Sequence, residues 1–315
     1  MIGKDTTSLR QPSAVISAAN GLGECVLWDE KSERLWWTDV PGRCLWSLDT
    51  LSEKTSQTAM PEDLCSFAFI EGSDLFLAAF QSGFALLHPE TGEHRWLHRI
   101  ANPESIRLND GRVDRRGRFW CGSLVDGPRC PDSTGLSGEL FCIDGRGKVA
   151  THLDGIHISN SICWSPDGAT MYFADTRKNR IDAFDFDVRQ GELSARREFA
   201  SVPAPAGPDG SVVDSEGFLW NAQWGQGRVV RYRPDGQVDL VLVLPTSHIT
   251  CLAFGGSDLS TLYITSATYG LTSQQREQER QAGDVFVYAT PYRGLPESRF
   301  RSDSIDLTLK EPETT

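Results

Sequence analysis

A six-fold repeat of β-type segments constrains this chain more than any other feature of its sequence. Each segment has a hydrophobic strand, a polar turn and a second, aromatic-rich strand, as in VVDSEGFLWNA. Aligned on the turn, equivalent positions recur after 42, 43, 51, 49 and 41 residues. Spacings of this size are typical of propeller blades with four strands each. The sequence therefore predicts an all-β, six-bladed β-propeller with four-stranded antiparallel blades.

The repeat also decides how many domains to expect. A length of 315 residues would by itself suggest about two domains, but propellers of this size commonly fold as one. No segment before residue 270 shows sustained helical periodicity. We therefore expect one domain over residues 1–315, ordered from about 13 to 298 and followed by a polar tail.

Two segments fall outside the six-fold pattern. The short β-branched segment SAVISAAN precedes the first repeat, and we expect it to pair with the last blade and so close the ring. Residues 270–282, with the run QQREQERQ, predict a solvent-exposed insertion whose composition suits a helix.

Charge and targeting signals narrow the possible partners. The net charge of −12 and the lack of a basic run argue against a nucleic acid or an anionic membrane surface as partner. The N-terminus MIGKDTTSLRQPS lacks the apolar region of a signal peptide, and no apolar stretch approaches 18 residues. We expect a soluble, cytoplasmic protein that acts on a small molecule, while the oligomeric state stays open.

The cysteines are scattered through strand-like segments with no CxxC pair. They are Cys25, Cys44, Cys65, Cys121, Cys130, Cys142, Cys163 and Cys251. Reduced thiols buried in the core are therefore expected rather than a zinc ribbon or a disulfide scaffold. The HExxH pattern of a histidine-based zinc site is also absent.

The repeat places one equivalent residue of each blade at a mouth of the central channel, because the first strand of each blade lines that channel. This ring consists of Glu24, Ser66, Asn109, Asn160, Asp209 and Thr250. All six are polar, and four are carboxylates or carboxamides, which suit a hard cation with oxygen ligands. A buried pair of carboxylates without a cation would repel. The ring therefore predicts a divalent metal in the axial channel.

Turn formation is the competing explanation for two ring members. The tripeptides Asn-Asp-Gly at 109–111 and Pro-Asp-Gly at 208–210 are also common turn sequences. Two further Pro-Asp-Gly tripeptides, at 166–168 and 234–236, fall between strands and are interpreted as turns. The first two differ in register, because they fall where the first strand of a blade begins.

Three other side chains are candidates for ligand contact. Arg107 lies two residues before Asn109, so in a strand both side chains face the same cavity, although a surface ion pair is an equal alternative. Trp220 and Trp224 could stack on a ligand. Because propellers often use Trp between blades, we favour packing for both.

Several motifs together resemble the regucalcin, gluconolactonase and luciferin-regenerating-enzyme-like family. They are GLGECVLWDE, RLNDGRVDRRGRFWCGSL, SNSICWSPDG, GPDGSVVDSEGFLWNAQWGQGRVVR and the closing SATYGL, AGDVFVY and GLPESRF, which together cover roughly residues 15 to 300. The resemblance implies a six-bladed propeller with one divalent cation and, for several members, hydrolysis of aldonolactones.

The resemblance also implies roles for individual residues. Matched by motif, the metal ligands are Glu24, Asn160 and Asp209, and the substrate contacts are Arg107 and Asn109. The repeat alone had already selected four of these five positions.

This sequence departs from the family pattern at two places. Ser161 stands where the family usually has glycine after the metal-binding asparagine. A carboxylate found in some members has no clear counterpart, with Asp126 and Gly127 near its place. The departures concern the substrate contacts more than the metal.

The resulting hypothesis is metal-dependent hydrolysis of a sugar lactone to the aldonic acid. The cation would be Ca²⁺, Mg²⁺ or Mn²⁺, with Zn²⁺ or Fe²⁺ also compatible. Asp209 would be the general base, or would share a metal-bound water. No serine-hydrolase GxSxG motif is present. The alternatives are a phosphotriesterase-like propeller hydrolase and a non-catalytic metal-binding propeller.

Overall fold

The computed structural model describes residues 7–101, 104–125 and 135–309. These residues contain 24 strands, which form six four-stranded antiparallel sheets. The prediction of a six-bladed propeller with four-stranded blades is confirmed. No helix within the described ranges has the length and apolar character needed to cross a bilayer.

The strands follow the sequence repeat. A short strand, β1 (Ala14–Ile16), comes before the first blade. Blade 1 comprises β2 (Gly23–Asp29), β3 (Arg34–Asp39), β4 (Cys44–Asp49) and β5 (Lys54–Ala59). Blade 2 comprises β6 (Leu64–Phe69), β7 (Phe76–Phe80), β8 (Gly83–Leu87) and β9 (His94–Arg99). Blade 3 comprises β10 (Ile106–Val113), β11 (Phe119–Val125), β12 (Gly138–Ile143) and β13 (Val149–Ile156). Blade 4 comprises β14 (Ser159–Trp164), β15 (Thr170–Asp175), β16 (Arg180–Asp187) and β17 (Glu192–Ser201). Blade 5 comprises β18 (Gly207–Val213), β19 (Leu219–Trp224), β20 (Arg228–Tyr232) and β21 (Val238–Val243). Blade 6 comprises β22 (Ile249–Gly255), β23 (Thr261–Ser266) and β24 (Val285–Ala289), and β1 is its fourth strand.

The ring closes between the two ends of the chain. Strand β1 pairs antiparallel with β24, with Val15 opposite Phe286, so the first strand of the sequence completes the last blade. This confirms the closure predicted for SAVISAAN. Each inner strand contacts the inner strand of the next blade, and β22 contacts β2. Closure protects the innermost strands from edge pairing.

Burial falls from the channel outward. All residues of the inner strands β14 and β22 are buried, whereas in the outer strand β5, with the sequence KTSQTA, nearly every residue is exposed. Trp120 and Trp220 are fully buried, and each indole N–H donates at 2.9 Å to an aspartate in its own blade, Asp114 or Asp214. A buried indole needs such an acceptor. The packing role favoured for Trp220 is therefore confirmed.

Every inner strand has a β-bulge at the predicted ring position. The register shifts lie between Glu24 and Leu27, Leu64 and Ser66, Leu108 and Gly111, Asn160 and Cys163, Pro208 and Ser211, and Ile249 and Leu252. A bulge changes the direction of the neighbouring side chains. The six ring residues therefore share one local backbone irregularity as well as one register.

The segments outside the repeat are ordered by specific contacts. A short helix, α1 (Ser273–Gln278), lies in the predicted insertion, and Thr272 and Gln275 form a capping box at its start. Two 3-10 helices span Thr7–Arg10 and Thr176–Lys178. The expectation of a polar tail after residue 298 needs correction, because Phe300 is fully buried and bridges to Ile70 in blade 2.

The cysteines within the described ranges are all free, and all but Cys44 are buried. Cys130 and the pair Asp126 and Gly127 lie outside the described residues. Burial raises the pKa of the Cys121 thiol. The described cysteines therefore match the expected core role.

Candidate active site

A cavity of about 540 Å³ lies where the inner strands begin. Its lining consists of Leu22, Glu24, Arg107, Asn109, Leu124, Val125, Ile158, Asn160, Thr176, Asp209, Trp224 and Tyr269. All five residues predicted for metal or substrate are therefore brought together. Two clefts of similar volume, about 520 and 610 Å³, lie between the outer parts of neighbouring blades and contain no ring residue.

The remaining two ring members do not line this cavity. Ser66 is fully buried, and its hydroxyl contacts the Cys121 thiol at 3.6 Å. Thr250 is also fully buried and donates a hydrogen bond to the Gly23 carbonyl. Both hydroxyls are used inside the protein, so the cavity draws its oxygen atoms from the other four positions.

Two carboxyl groups dominate the electrostatics of the cavity, that of the half-buried Glu24 and that of the buried Asp209. Burial, with a further contribution from the nearby Asp110, raises the pKa of Glu24 to about 8. Burial and the proximity of Glu24 and Asp110 raise the pKa of Asp209 well above its usual range. Neither carboxylate is opposed by a buried basic partner strong enough to offset this cost. The pair is therefore an electrostatic liability unless positive charge lies between its members.

The donor atoms at this place fit a hard divalent cation. Asp209 Oδ1 is buried, and no described residue hydrogen bonds to it. Asn160 adds a carboxamide oxygen beside the two carboxylates. Among the described residues no group of three His, Cys, Asp or Glu side chains forms a metal-type cluster, so the fit depends on this mixed set. Oxygen donors of both kinds are typical ligands of Ca²⁺, Mg²⁺ and Mn²⁺.

Asn160 is held in one orientation by both ends of its carboxamide. Asn109 Nδ2 donates to Asn160 Oδ1 at 3.1 Å, and Asn160 Nδ2 donates to Thr176 Oγ1 at 2.8 Å. The Thr176 hydroxyl in turn donates to the Pro208 carbonyl at 2.8 Å. This chain of bonds links blades 3, 4 and 5 and turns Asn160 Oδ1 towards the cavity side occupied by Asn109. Thr176 has no motif in the sequence, so its role could not be inferred there.

Arg107 lies in the cavity lining, as its spacing from Asn109 predicted. Its Nη1 donates to Asn109 Oδ1 at 2.7 Å and to the Leu108 carbonyl at 3.0 Å. Asn109 therefore connects the guanidinium on one side with Asn160 on the other.

The family departure at Ser161 has a clear local explanation. Ser161 has φ 60°, in the left-handed region that glycine occupies at little cost. Its hydroxyl donates to the Asp209 carbonyl at 2.5 Å and accepts from Ser211 Oγ and Asn221 Nδ2 at 3.0 and 3.1 Å. The serine keeps the backbone conformation of a glycine and adds a hydrogen-bonding centre beneath Asp209.

Asp110 was not among the predicted site residues. The bulge between Leu108 and Gly111 lets both Asn109 and Asp110 face inward, which simple strand alternation does not allow. Asp110 accepts a hydrogen bond from the Ile162 N–H at 2.9 Å, and burial raises its pKa to about 6. A third carboxyl group therefore lies close to Glu24 and Asp209.

The rest of the cavity wall is apolar. Leu22, Leu124 and Ile158 contribute aliphatic surface, and Trp224 and Tyr269 contribute aromatic surface. The packing role favoured for Trp224 is thus wrong in part, because this ring also lines the cavity. Trp224 lies at the end of β19, opposite Gly207 where the inner strand begins, whereas Trp220 lies four residues earlier, opposite Val212, and packs between blades.

Comparisons with known proteins show the family of this chain. The family model described as the SMP-30/Gluconolactonase/LRE-like region matches residues 22–268. An L-arabinolactonase from Azospirillum brasilense is 35% identical, covering 92% of this chain and 95% of that protein. A 6-deoxy-6-sulfogluconolactonase from Pseudomonas putida is 36% identical, and the match covers 93% of this chain and 97% of that protein.

Two solved structures of similar proteins have the same fold. The calcium-binding protein regucalcin from Agrobacterium tumefaciens superposes with a TM-score of 0.85 and 32% identity, covering 92% of this chain and 98% of that one. A luciferin-regenerating enzyme, at 24% identity and a TM-score of 0.84, shares the fold. On the extent of the family match, the identity to these relatives and the shared propeller, the chain belongs to the SMP-30/gluconolactonase/LRE-like family.

Proposed function

We propose that this protein is a metal-dependent lactonase that hydrolyses a sugar lactone to the aldonic acid. The observation that carries the proposal is the carboxylate pair Glu24 and Asp209 on one cavity, with Asp209 Oδ1 buried and unpartnered among the described residues. The names of two relatives, an arabinolactonase and a sulfogluconolactonase, support the substrate class. The cavity volume of about 540 Å³ suits a small molecule.

Glu24, Asn160 and Asp209 would hold the cation. Its charge would offset the burial cost of the two carboxylates, and Asn160 is already oriented by Asn109 and Thr176. When bound, a divalent cation would polarise the lactone carbonyl and stabilise negative charge on its oxygen. Ca²⁺ is supported by the description of the regucalcin relative, and Mg²⁺, Mn²⁺, Zn²⁺ and Fe²⁺ remain compatible with the donor set.

Asp209 would act as the general base. A water molecule attacks the lactone carbonyl carbon and transfers a proton to the Asp209 carboxylate, which has a second oxygen for this when one oxygen holds the cation. The ring C–O bond then breaks, and the ring oxygen takes up the proton to become the hydroxyl of the aldonic acid. No covalent nucleophile is needed in this sequence of steps.

Arg107 and Asn109 would orient the substrate. Arg107 is the positively charged residue among the cavity-lining residues that the structure describes, so it would bind a substrate hydroxyl or negative charge that develops on the lactone. Asn109 keeps the guanidinium and Asn160 in a fixed relation through two hydrogen bonds. The substrate would therefore meet a pre-organised polar wall.

The test is hydrolysis of a panel of aldonolactones, followed by proton release with a pH indicator. Metal-stripped and reloaded protein are compared with the variant Asp209→Asn. The matched control is Asp235→Asn, which changes another Pro-Asp-Gly aspartate in an exposed turn far from the inner strands. Turnover that requires metal, survives in the control and is lost in Asp209→Asn supports the proposal.

Two other results would reject it. Cleavage of phosphotriesters in a parallel assay, with no lactone opened above the spontaneous rate, would favour a phosphotriesterase-like hydrolase. Metal-dependent stabilisation without turnover of either substrate class would favour a non-catalytic metal-binding propeller.

A further inference from the structure

The cavity has two chemically different walls. Glu24, Asn109 and Asp209 make one side polar, whereas Trp224 and Tyr269 form an aromatic surface on the same cavity. Trp224 ends strand β19 in blade 5, and Tyr269 follows β23 in blade 6. Two neighbouring blades therefore each contribute one aromatic ring.

His248 contacts both the Trp224 ring and the backbone of Tyr269. The indole of Trp224 and the imidazole of His248 stack with centroids 3.9 Å apart and planes 17° apart. His248 Nδ1 lies 2.9 Å from the Tyr269 carbonyl oxygen, which fixes the imidazole relative to the segment that carries Tyr269. The Tyr269 N–H donates to the Gly21 carbonyl at 2.8 Å. The position of Trp224 is thus set by contacts from blade 6.

Gly270, next to this stack, has a backbone conformation that favours glycine. Its φ is 80°, in the left-handed region, so any other residue would be strained in the backbone. A Cβ there would lie 3.5 Å from His248 Cε1 and 3.9 Å from Trp224 Cζ2, which is ordinary van der Waals contact.

Interblade packing does not account for this arrangement. The tryptophans that pack between blades, such as Trp37, Trp120 and Trp220, are fully buried. Trp224 is only partly buried, and Tyr269 is 60% exposed, the most exposed large aromatic side chain in the described residues. Exposed aromatic surface beside a concave polar site is typical of ligand binding.

A sugar lactone has the complementary form. Its ring carries hydroxyl groups at the edge and C–H groups on its faces, so one molecule can present polar and apolar surface at once. The polar wall can take the carbonyl and hydroxyl groups while an aromatic face covers the C–H groups. An open-chain ester lacks the rigid face that such a wall would cover.

We propose that Trp224 and Tyr269 form a stacking subsite that selects the cyclic sugar lactone, and that His248 is a positioning residue for the Trp224 ring. This inference rests on the proposed lactonase function. Burial lowers the pKa of His248, which agrees with a neutral imidazole stacked on the indole at neutral pH.

The kinetic test compares Trp224→Ala, Trp224→Phe and wild type on a cyclic sugar lactone and on an open-chain ester without any ring, ethyl acetate, with both reactions followed by proton release. Loss of a stacking contact is expected to raise KM for the lactone about tenfold in the alanine variant, with a much smaller change in kcat. The phenylalanine variant keeps a ring and should recover most of the loss. KM for the open-chain ester should change little in either variant.

The matched control is Trp46→Ala in blade 1. Trp46 is also partly buried and stacks on another ring, Trp37, with centroids 5.5 Å apart, but it does not line the cavity. A general loss of stability would affect both alanine variants, whereas a lost subsite affects only Trp224→Ala.

His248 is tested through its effect on Trp224. His248→Ala should raise KM for the lactone several-fold, and His248→Phe, which restores a flat ring behind the indole, should bring it back towards the wild-type value. A purely structural role would change thermal stability without this selective shift in KM.

A binding measurement separates the subsite from turnover. An aldonolactam, the nitrogen analogue of the lactone, is titrated while tryptophan fluorescence is recorded, and Trp224→Phe should lose the signal. A signal that depends on Trp224 in a protein without lactonase turnover would retain the subsite and reject the proposed function. Normal lactone turnover with unchanged KM and fluorescence in the Trp224 variants would reject the subsite and retain the function.

Discussion

The Ser161 hydroxyl donates a hydrogen bond to the Asp209 backbone carbonyl at 2.5 Å, across the boundary between blades 4 and 5. Ser161 itself occupies the left-handed region at φ 60°. One residue therefore combines an unfavourable backbone conformation with a hydrogen bond to the inner strand that carries Asp209. The two effects have opposite signs, and substitutions can separate them.

Ser161→Gly and Ser161→Ala are expected to differ in stability. Glycine removes a backbone cost of about 1 kcal/mol, which offsets most of the lost hydrogen bond, so its free energy of unfolding should stay within about 1 kcal/mol of wild type. Alanine keeps the strain and loses the hydroxyl, so it should be less stable by about 1–3 kcal/mol. Urea unfolding measures both, and equal losses in the two variants would show that backbone strain is unimportant.

Thr176 is expected to control metal affinity without being a ligand. Its hydroxyl accepts from Asn160 Nδ2 and donates to the Pro208 carbonyl. Residues that orient a ligand typically contribute about 10–100-fold to metal affinity. Thr176→Val, which has nearly the same shape, should therefore weaken divalent-metal binding by at least about tenfold, as measured by calorimetry of stripped protein.

Thr176→Ser keeps the hydroxyl and provides the control. It should bind metal nearly as well as wild type, because both hydrogen bonds can still form. Equal affinities for the valine variant and wild type would contradict the assignment of Asn160 as a ligand held through Thr176.

The sequence could predict the inner strands because each blade must bury its first strand, which imposes a regular spacing of hydrophobic segments and turns. It could place Glu24, Asn160 and Asp209 in one ring because they occupy equivalent positions in the six-fold repeat. Asp110, Thr176 and Trp224 needed the structure.

The positions of these three side chains could not be predicted from the sequence for physical reasons. The inward position of Asp110 depends on a bulge, which breaks the period of two. Thr176 directly follows the second strand of blade 4, and Trp224 ends the second strand of blade 5. The contacts of both side chains depend on how neighbouring blades are placed. Phe300 is a single buried apolar residue in a polar segment, and one residue makes no periodic pattern.

The stability of the protein should depend on pH through Asp175. Burial raises the pKa of this carboxyl group, but hydrogen bonds from the His157 side chain, the backbone N–H groups of Ile158 and His157, and Lys178 outweigh it, so the net shift is downward. A lowered pKa in the folded state stabilises the protein above the pKa of the unfolded state, about 4, and this contribution is lost as the pH falls through the folded value.

Asp175→Asn should therefore be less stable than wild type at pH 7, by about 1–2 kcal/mol, because hydrogen bonds to a charged acceptor are replaced by weaker ones. The difference should shrink as the pH falls below about 4. Thermal unfolding at several pH values measures it, with the exposed Asp235→Asn as control. A difference that grows towards acid pH would reverse the assigned sign.

Metal removal should reverse the effect of a substitution at Glu24. In stripped protein the carboxyl groups of Glu24, Asp209 and Asp110 lie close enough to repel one another, so Glu24→Gln removes repulsion and should leave the melting temperature equal to or above that of stripped wild type. With metal present the order should invert, because wild type gains about 2.7 kcal/mol at a metal concentration 100 times Kd and the variant has lost a charged ligand. Differential scanning calorimetry of the four samples tests this crossing. If Glu24→Gln is the less stable protein both with and without metal, Glu24 is a structural residue rather than a ligand, because only a ligand has its burial cost offset by the cation.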